Sequence, residues 1–315
     1  MISTILAGIF LILMGLCHFG SLIKFIPYTI TTGFTSGIAV TIVIGQLKDF
    51  FGVTYPNGLK PIETIEKLNA FALGFSSFHV DALIVGGVSL AILIISPYIF
   101  KRIPGSLIAV VIGILMVKFL PLHVSTIGNL YTITNDLPSF HIPAVKFSMV
   151  KSSIPNAFTI AVLAAIESLL SCVVADGMIN GKHRSDTELV AQGLGNIASA
   201  LFGGIPATGA IARTAANIKN GGRTPVAGMV HSITLVIVLV VLMPFAGMIP
   251  MPTIAAILFV VAYNMCQWRT FVHMLKTAPK SDIIVLIVTF ILTVVFDLVV
   301  AIEIGMVIAC LLFIK

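Results

Sequence analysis

Apolar stretches recur along the 315 residues of this chain, each close to the about 20 residues that a helix needs to cross a bilayer. The pattern predicts helices at about 3–22, 29–48, 81–100, 104–122, 155–175, 188–203, 225–248, 252–268, 281–296 and 298–314. Polar positions gather in two longer connections, 49–80 and 123–152, and in several short ones. One segment breaks this rhythm. Gly-Gly-Ile-Pro-Ala-Thr-Gly-Ala-Ile-Ala-Arg-Thr-Ala-Ala-Asn, residues 203–217, is too short and too rich in glycine to span a membrane. It predicts a broken helix with a short helical piece at about 209–218. A second irregularity is Glu167, a carboxylate inside the apolar run from Pro155 to Val174. An acid at the bilayer centre costs roughly 2.5–3.5 kcal/mol on insertion scales, so it persists where it handles an ion or a proton.

Composition agrees with a membrane protein. The chain is 58% hydrophobic and only 10% charged, which excludes a soluble globular domain of this length. A net charge of +6 would suggest nucleic acid in a soluble protein, but here it follows topology. Lys101-Arg102, Lys182-His183-Arg184, Lys219 to Arg223 and Arg269 to Lys280 lie in short connections, as cytoplasmic loops do. That puts 18–28, 101–103, 177–187, 217–224 and 269–281 inside, and 49–80 and 123–152 outside. No basic patch is interleaved with aromatics, so nucleic-acid binding is not expected. The cysteines, Cys17, Cys172, Cys266 and Cys310, are scattered without C-x-x-C spacing and predict neither zinc nor disulfides. Met1 to Cys17 lacks the charged start of a signal peptide and predicts a first membrane helix. No H-E-x-x-H, G-x-S-x-G or Walker pattern occurs, so neither an enzyme nor a cofactor is expected.

The candidate site combines the two irregularities. Glu167 and Ser171 are four residues apart and share one helix face. Thr208, Gly209 and Ala210 lie at the start of the short helix. Small residues there let backbone N–H groups approach an anion, and the helix dipole favours its charge. Tight helix packing by small residues is the structural alternative. Arg213, one turn in, is suited to bidentate contact with an oxyanion, or to pairing with Glu167 or a loop acid. A buried acid opposite a half-helix N-terminus is the outline of a secondary transporter site. Other polar residues have structural readings: Asp176 as a cap or loop partner, Asp297 as a cap, Glu303 as scaffold and His231 as a core histidine. Internal symmetry is weak: Ile26-Pro27 against Ile249-Pro250, and Val111-Ile112-Gly113-Ile114 against Glu303-Ile304-Gly305-Met306.

Longer motifs add a family. Ile166-Glu167-Ser168-Leu169-Leu170-Ser171, Val-Val-Ala-Asp-Gly at 173–177, Glu-Leu-Val-Ala-Gln-Gly at 188–193 and the 203–214 segment closely resemble the SulP anion permeases. So do Phe25-Ile26-Pro27 with Gly33-Phe34-Thr35-Ser36-Gly37-Ile38, and the run from Asp297 to Gly305. The resemblance is collinear over nearly the whole chain. It implies an all-α integral membrane protein with the uracil-permease-like plan of two inverted seven-segment repeats, divided between a substrate-carrying core and a gate. On that plan residues 1–125 are segments four to seven, 126–150 an extracellular linker and 151–315 segments eight to fourteen. The first three segments and a STAS domain would then lie outside these residues. The chain alone would insert but transport little, because an anion held by one half-helix lacks the opposing one.

The resemblance also bears on coupling. In sodium-coupled relatives an acid and a hydroxyl one turn later help hold the cation. Here the position of a further hydroxyl ligand is Ile211, and a hard cation needs several oxygens. A proton on Glu167 is therefore the expected coupling ion ahead of sodium. The expected function is secondary transport of sulfate, bicarbonate or a small dicarboxylate by a homodimer in a bacterial-type inner membrane. The alternatives are a nucleobase permease of the same fold, which Arg213 disfavours, and a membrane protein without transport of its own.

Overall fold

The computed structural model describes residues 1–21, 28–56, 59–99, 103–132, 137–143, 146–296 and 304. The expected helix at 298–314, with Asp297, Glu303 and Cys310, lies outside them, as do Lys101-Arg102 and Phe25-Ile26-Pro27. The helices, in chain order, are α1 (Ile2–Leu16), α2 (Tyr28–Phe51), α3 (Thr64–Gly74), α4 (Val80–Ile99), α5 (Gly105–Phe119), α6 (Ile127–Leu130) and α7 (Phe147–Ile179). They continue with α8 (Ser185–Leu201), α9 (Ile211–Lys219), α10 (Val226–Ile237), α11 (Met243–Ala246), α12 (Met251–Cys266), α13 (Trp268–Thr277) and α14 (Lys280–Val295). Among the described residues, five helical stretches are long and apolar enough to cross a membrane: 29–51, 80–99, 147–179, 226–246 and 251–277.

Three differences from the hydropathy pattern have local causes. The helix expected at 155–175 is α7, which runs 33 residues with Pro155 inside it. A proline within a helix removes one backbone bond, and here the apolar run carries the helix through it. The segment 269–281, expected as a loop, contains α13. Its apolar residues Trp268, Phe271, Val272 and Leu275 recur at helical spacing among Arg269, His273 and Lys276. Phe271 packs on Phe290 of α14, ring centroids 5.3 Å apart. In the longer connection 49–80, α3 is anchored by Phe71 against Phe51 at 5.8 Å.

The chain forms two compact units. The first comprises Met1–Ile26 and Asp136–Val240, the second Pro27–Asn135 and Val241–Lys315. Each takes chain from both sides of the 126–150 connection.

In the first unit α1 packs against both α7 and α8, around Ala7, Leu11, Ala161, Ala165, Leu169 and Leu189. Glycines allow α1 and α8 to touch. A β-carbon on Gly8 would lie 2.6 Å from the Gly193 carbonyl oxygen, and one on Gly193 would lie 2.5 Å from that of Gly8. Small residues at such crossings let dispersion contacts form between backbones. Beyond α1, His18 Nδ1 meets Asp186 Oδ2 at 2.8 Å and the Gly20 N–H donates to Asp186 Oδ1 at 3.0 Å. These contacts tie the end of α1 to the start of α8.

In the second unit α12 packs against α2, α4 and α5, with Phe50, Leu93, Ala109, Ala255 and Ala256 buried among them. The hydroxyls of Ser89 and Thr253 pair at 2.9 Å, and Ser36 Oγ donates to the Cys266 carbonyl at 2.7 Å.

Candidate functional site

All the candidate site residues fall in the first unit, where α7, α8 and α9 meet. Helix α8 ends in a turn at Gly203, whose φ of 75° is readily adopted only by glycine. Residues 204–210 are then non-helical, so their backbone groups need partners from neighbouring helices.

Helix α8 provides most of them. Ser199 Oγ donates to the Ile205 carbonyl at 2.9 Å. The Asn196 side chain binds Ala207 in both directions: Nδ2 donates to its carbonyl at 2.9 Å and Oδ1 accepts its N–H at 2.8 Å. Gln192 Nε2 donates to the same carbonyl. From α7, the Ala164 carbonyl accepts the Thr208 hydroxyl at 3.0 Å.

The next residue touches α7. A β-carbon on Gly209 would lie 3.3 Å from Ser168 Cα, 3.4 Å from Ser168 Oγ and 3.5 Å from Ser171 Cβ. Ala210 is the N-cap of α9 and makes no side-chain capping bond. The N–H groups of the first helical turn therefore lack intrahelical acceptors. One turn on, Ser171 Oγ and Thr214 Oγ1 are 2.6 Å apart. Behind them Ser168 Oγ donates to Glu188 Oε1 of α8 at 2.7 Å.

The structure thus brings Ser171, Thr208 and Gly209 together, with Ala210 beginning α9. Arg213 is exposed and forms no ion pair among the described residues. Its pairing with Glu167 or a loop acid, one of two sequence-based readings, is not formed. Glu167 is half-buried on α7 and, among the described residues, has no hydrogen-bond or salt-bridge partner. Asp176 is a loop partner: its Oδ2 accepts the His183 backbone N–H at 2.9 Å and lies 2.7 Å from His183 Nδ1. His231 departs from expectation. It is exposed on α10, a helix with no buried residue, and so is not a core histidine.

Sequence reasoning missed Ser168, Glu188, Gln192, Asn196 and Thr214. A signal existed for the α8 residues. Glu188, Gln192, Asn196 and Ser199 recur at spacings of four, four and three along α8, a polar stripe on one face. Among the described residues no group of three or more His, Cys, Asp or Glu side chains is placed to hold a metal ion. Chemically the site offers hydroxyls, unpaired N–H groups at a helix N-terminus, one free guanidinium and one free carboxylate. Such a set suits a small anion.

Residues 1–289 match the sulfate permease family. The chain is 40% identical over 321 aligned residues to the putative sulfate transporter YvdB of Bacillus subtilis, covering 100% of this chain and 59% of that protein. It is 34% identical over 312 residues to the bicarbonate transporter BicA of Picosynechococcus, covering 98% of this chain and 54% of that one. It therefore spans little more than half the length of these relatives.

Among solved structures, the transmembrane domain of a cyanobacterial bicarbonate transporter BicA aligns with a TM-score of 0.78 at 29% identity, over 98% of this chain and 75% of that one. The structure of SLC26A9 aligns with a TM-score of 0.84 at 21% identity, over 99% and 50%; at that identity the likeness is one of fold. These domains share the uracil-permease-like fold, and the resemblance read from the motifs holds. The family consists of multi-pass membrane transporters rather than enzymes, and this chain belongs to it, as a member of the sulfate permease family.

Proposed function

We propose that this protein serves the secondary transport of a small anion, namely sulfate, bicarbonate or a small dicarboxylate. The anion sits at the N-terminus of α9, held by backbone N–H groups at Gly209 and Ala210 and by Arg213; the Thr208 hydroxyl, expected to join them, donates its one proton to the Ala164 carbonyl and anchors the loop instead. The observation that carries this reading is the close approach of Gly209 to Ser168 and Ser171, which sets a bare helix N-terminus beside hydroxyls with an unpaired arginine one turn away. The names of the relatives, sulfate and bicarbonate transporters, support the substrate class.

Glu167 carries the coupling proton, with Ser171 on the same face. Its free carboxylate supports this, and Ile211 in place of a hydroxyl argues against sodium. The first compact unit is the substrate-carrying body. Residues 1–125 and 151–315 belong to two inverted repeats joined by the outer connection 126–150. The protein works as a homodimer in a bacterial cytoplasmic membrane.

The test is equilibrium binding of radiolabelled sulfate and bicarbonate to the purified protein in detergent. Saturable binding of either label, displaced by the unlabelled anions and untouched by excess uracil, is expected without added sodium. Saturable uracil binding with no anion competition would replace this reading with the nucleobase one.

A further inference from the structure

The polar stripe on α8 lies outside every residue assigned above to anion or proton. We propose that Gln192, Asn196 and Ser199, with Glu188 at the end of the stripe, are positioning residues that set where the anion-binding loop stands. The proposal rests on the reading of the α9 N-terminus as the anion site.

The geometry is directional. Ser199 holds Ile205 and the two amides hold Ala207, so the chain is gripped two and four residues before Gly209. Asn196 is only 2% exposed, and its amide satisfies both the N–H and the carbonyl of Ala207. A carboxylate in its place could accept from the Ala207 N–H but could not donate to the Ala207 carbonyl. Glu188 accepts the Ser168 proton, which fixes the side chain that Gly209 packs against and commits its only donor away from the anion.

The face of α8 beside the stripe explains why this grip is rigid. Leu189, Gly193 and Ala200 are buried, and Gly193 touches the backbone of α1. The helix is therefore fixed along one side by α1 while its adjoining polar side holds the loop. Affinity at a preorganised site depends on donors standing where the anion needs them, so releasing the loop should weaken and blur recognition without removing any anion contact.

The experiment compares the parent with Asn196→Ala, Asn196→Asp, Ser199→Ala and Arg213→Ala. It reads hydrogen exchange at the amides of 207–214 together with sulfate and bicarbonate affinity. Asn196→Ala should speed exchange in 207–214 by about 10-fold or more and weaken sulfate binding by about 5- to 10-fold, the scale of one or two lost hydrogen bonds. The sulfate-to-bicarbonate affinity ratio should shift, and exchange in α1 and α7 should stay at parental rates. Asn196→Asp keeps the shape but loses both amide donors, and should act alike. Ser199→Ala should act more weakly in the same direction.

Unchanged exchange at 207–214 in both folded Asn196 variants would overturn the proposal. So would faster exchange with parental affinity and selectivity while Arg213→Ala loses binding, an outcome that leaves the site reading intact. Parental binding in Arg213→Ala would instead remove the site reading.

Discussion

Ser171 of α7 and Thr214 of α9 meet hydroxyl to hydroxyl at 2.6 Å, one helical turn beyond the point where Gly209 touches the same face of α7. The nine-residue α9 is too short to be stable by itself. It stands because one of its faces is docked on a helix of 33 residues. Thr214→Val preserves shape and removes one member of the pair. A single neutral hydrogen bond contributes about 0.5–1.5 kcal/mol, so the melting temperature in detergent should fall modestly, and Ser171→Ala with Thr214→Val should cost less than the sum of the singles. Strict additivity in that double-mutant cycle would show that the two hydroxyls do not interact.

Gly209 is expected to tolerate almost nothing. An alanine β-carbon would sit 3.3 Å from Ser168 Cα and 3.4 Å from its Oγ, a fit that needs shifts of a few tenths of an ångström. Gly209→Ala should therefore weaken sulfate binding partially. Gly209→Val, with two further carbons, should abolish it while the protein remains folded by gel filtration. Full binding by the valine variant would place the anion elsewhere.

Arg213 supplies charge. If it makes a charge-assisted hydrogen bond to the anion, Arg213→Ala should weaken binding by about 1.5–3 kcal/mol, which is roughly 10- to 150-fold. Arg213→Lys should recover only part of this, since an ammonium lacks the bidentate fork. Because Arg213 pairs with no acid among the described residues, the parent melting temperature should be nearly unchanged in both variants. A large drop in stability would point instead to a structural role.

Proton coupling predicts a pH signature with a definite sign. A carboxylate at Glu167, next in sequence to Ser168 and sharing a face with Ser171, repels a bound anion, and protonation removes that repulsion. Sulfate affinity should therefore rise as pH is lowered between about pH 8 and pH 5, with no need for sodium. Glu167→Gln mimics the protonated form and should bind tightly across the range. Pull-down of labelled sulfate by parent and variant decides the matter: a flat parental profile that depends on sodium would remove the proton assignment.

The α1–α8 crossing tests the fold rather than the site. A β-carbon at Gly193 would lie 2.5 Å from the Gly8 carbonyl oxygen, so the backbones must separate. Overpacking of this kind costs typically 1–3 kcal/mol, and Gly193→Val should lower the melting temperature measurably. Gly195→Ala, two residues on with open space around its β-carbon, is the internal control and should not.

Hydropathy along the chain marked the long apolar helices, five of which are long and apolar enough to cross a membrane among the described residues, because an apolar run of about 20 residues is legible without reference to any other segment. It also exposed the two interruptions, Glu167 and the glycine-rich segment at 203–217, since a polar group in an apolar environment has a cost that composition alone reveals. The helix α13 escaped that reading: its basic residues suggest a loop, and only packing of Phe271 on Phe290 shows where its apolar face goes.

The grip of Asn196 on Ala207, the meeting of Ser171 with Thr214 and the bond from Ser168 to Glu188 were decided by tertiary structure. They join residues 11 to 43 positions apart, and such pairings depend on how helices cross. A stripe of polar residues states that a helix face has a partner. The identity of that partner is set by the glycine contacts that let α8 rest on α1 and turn its polar side toward the loop.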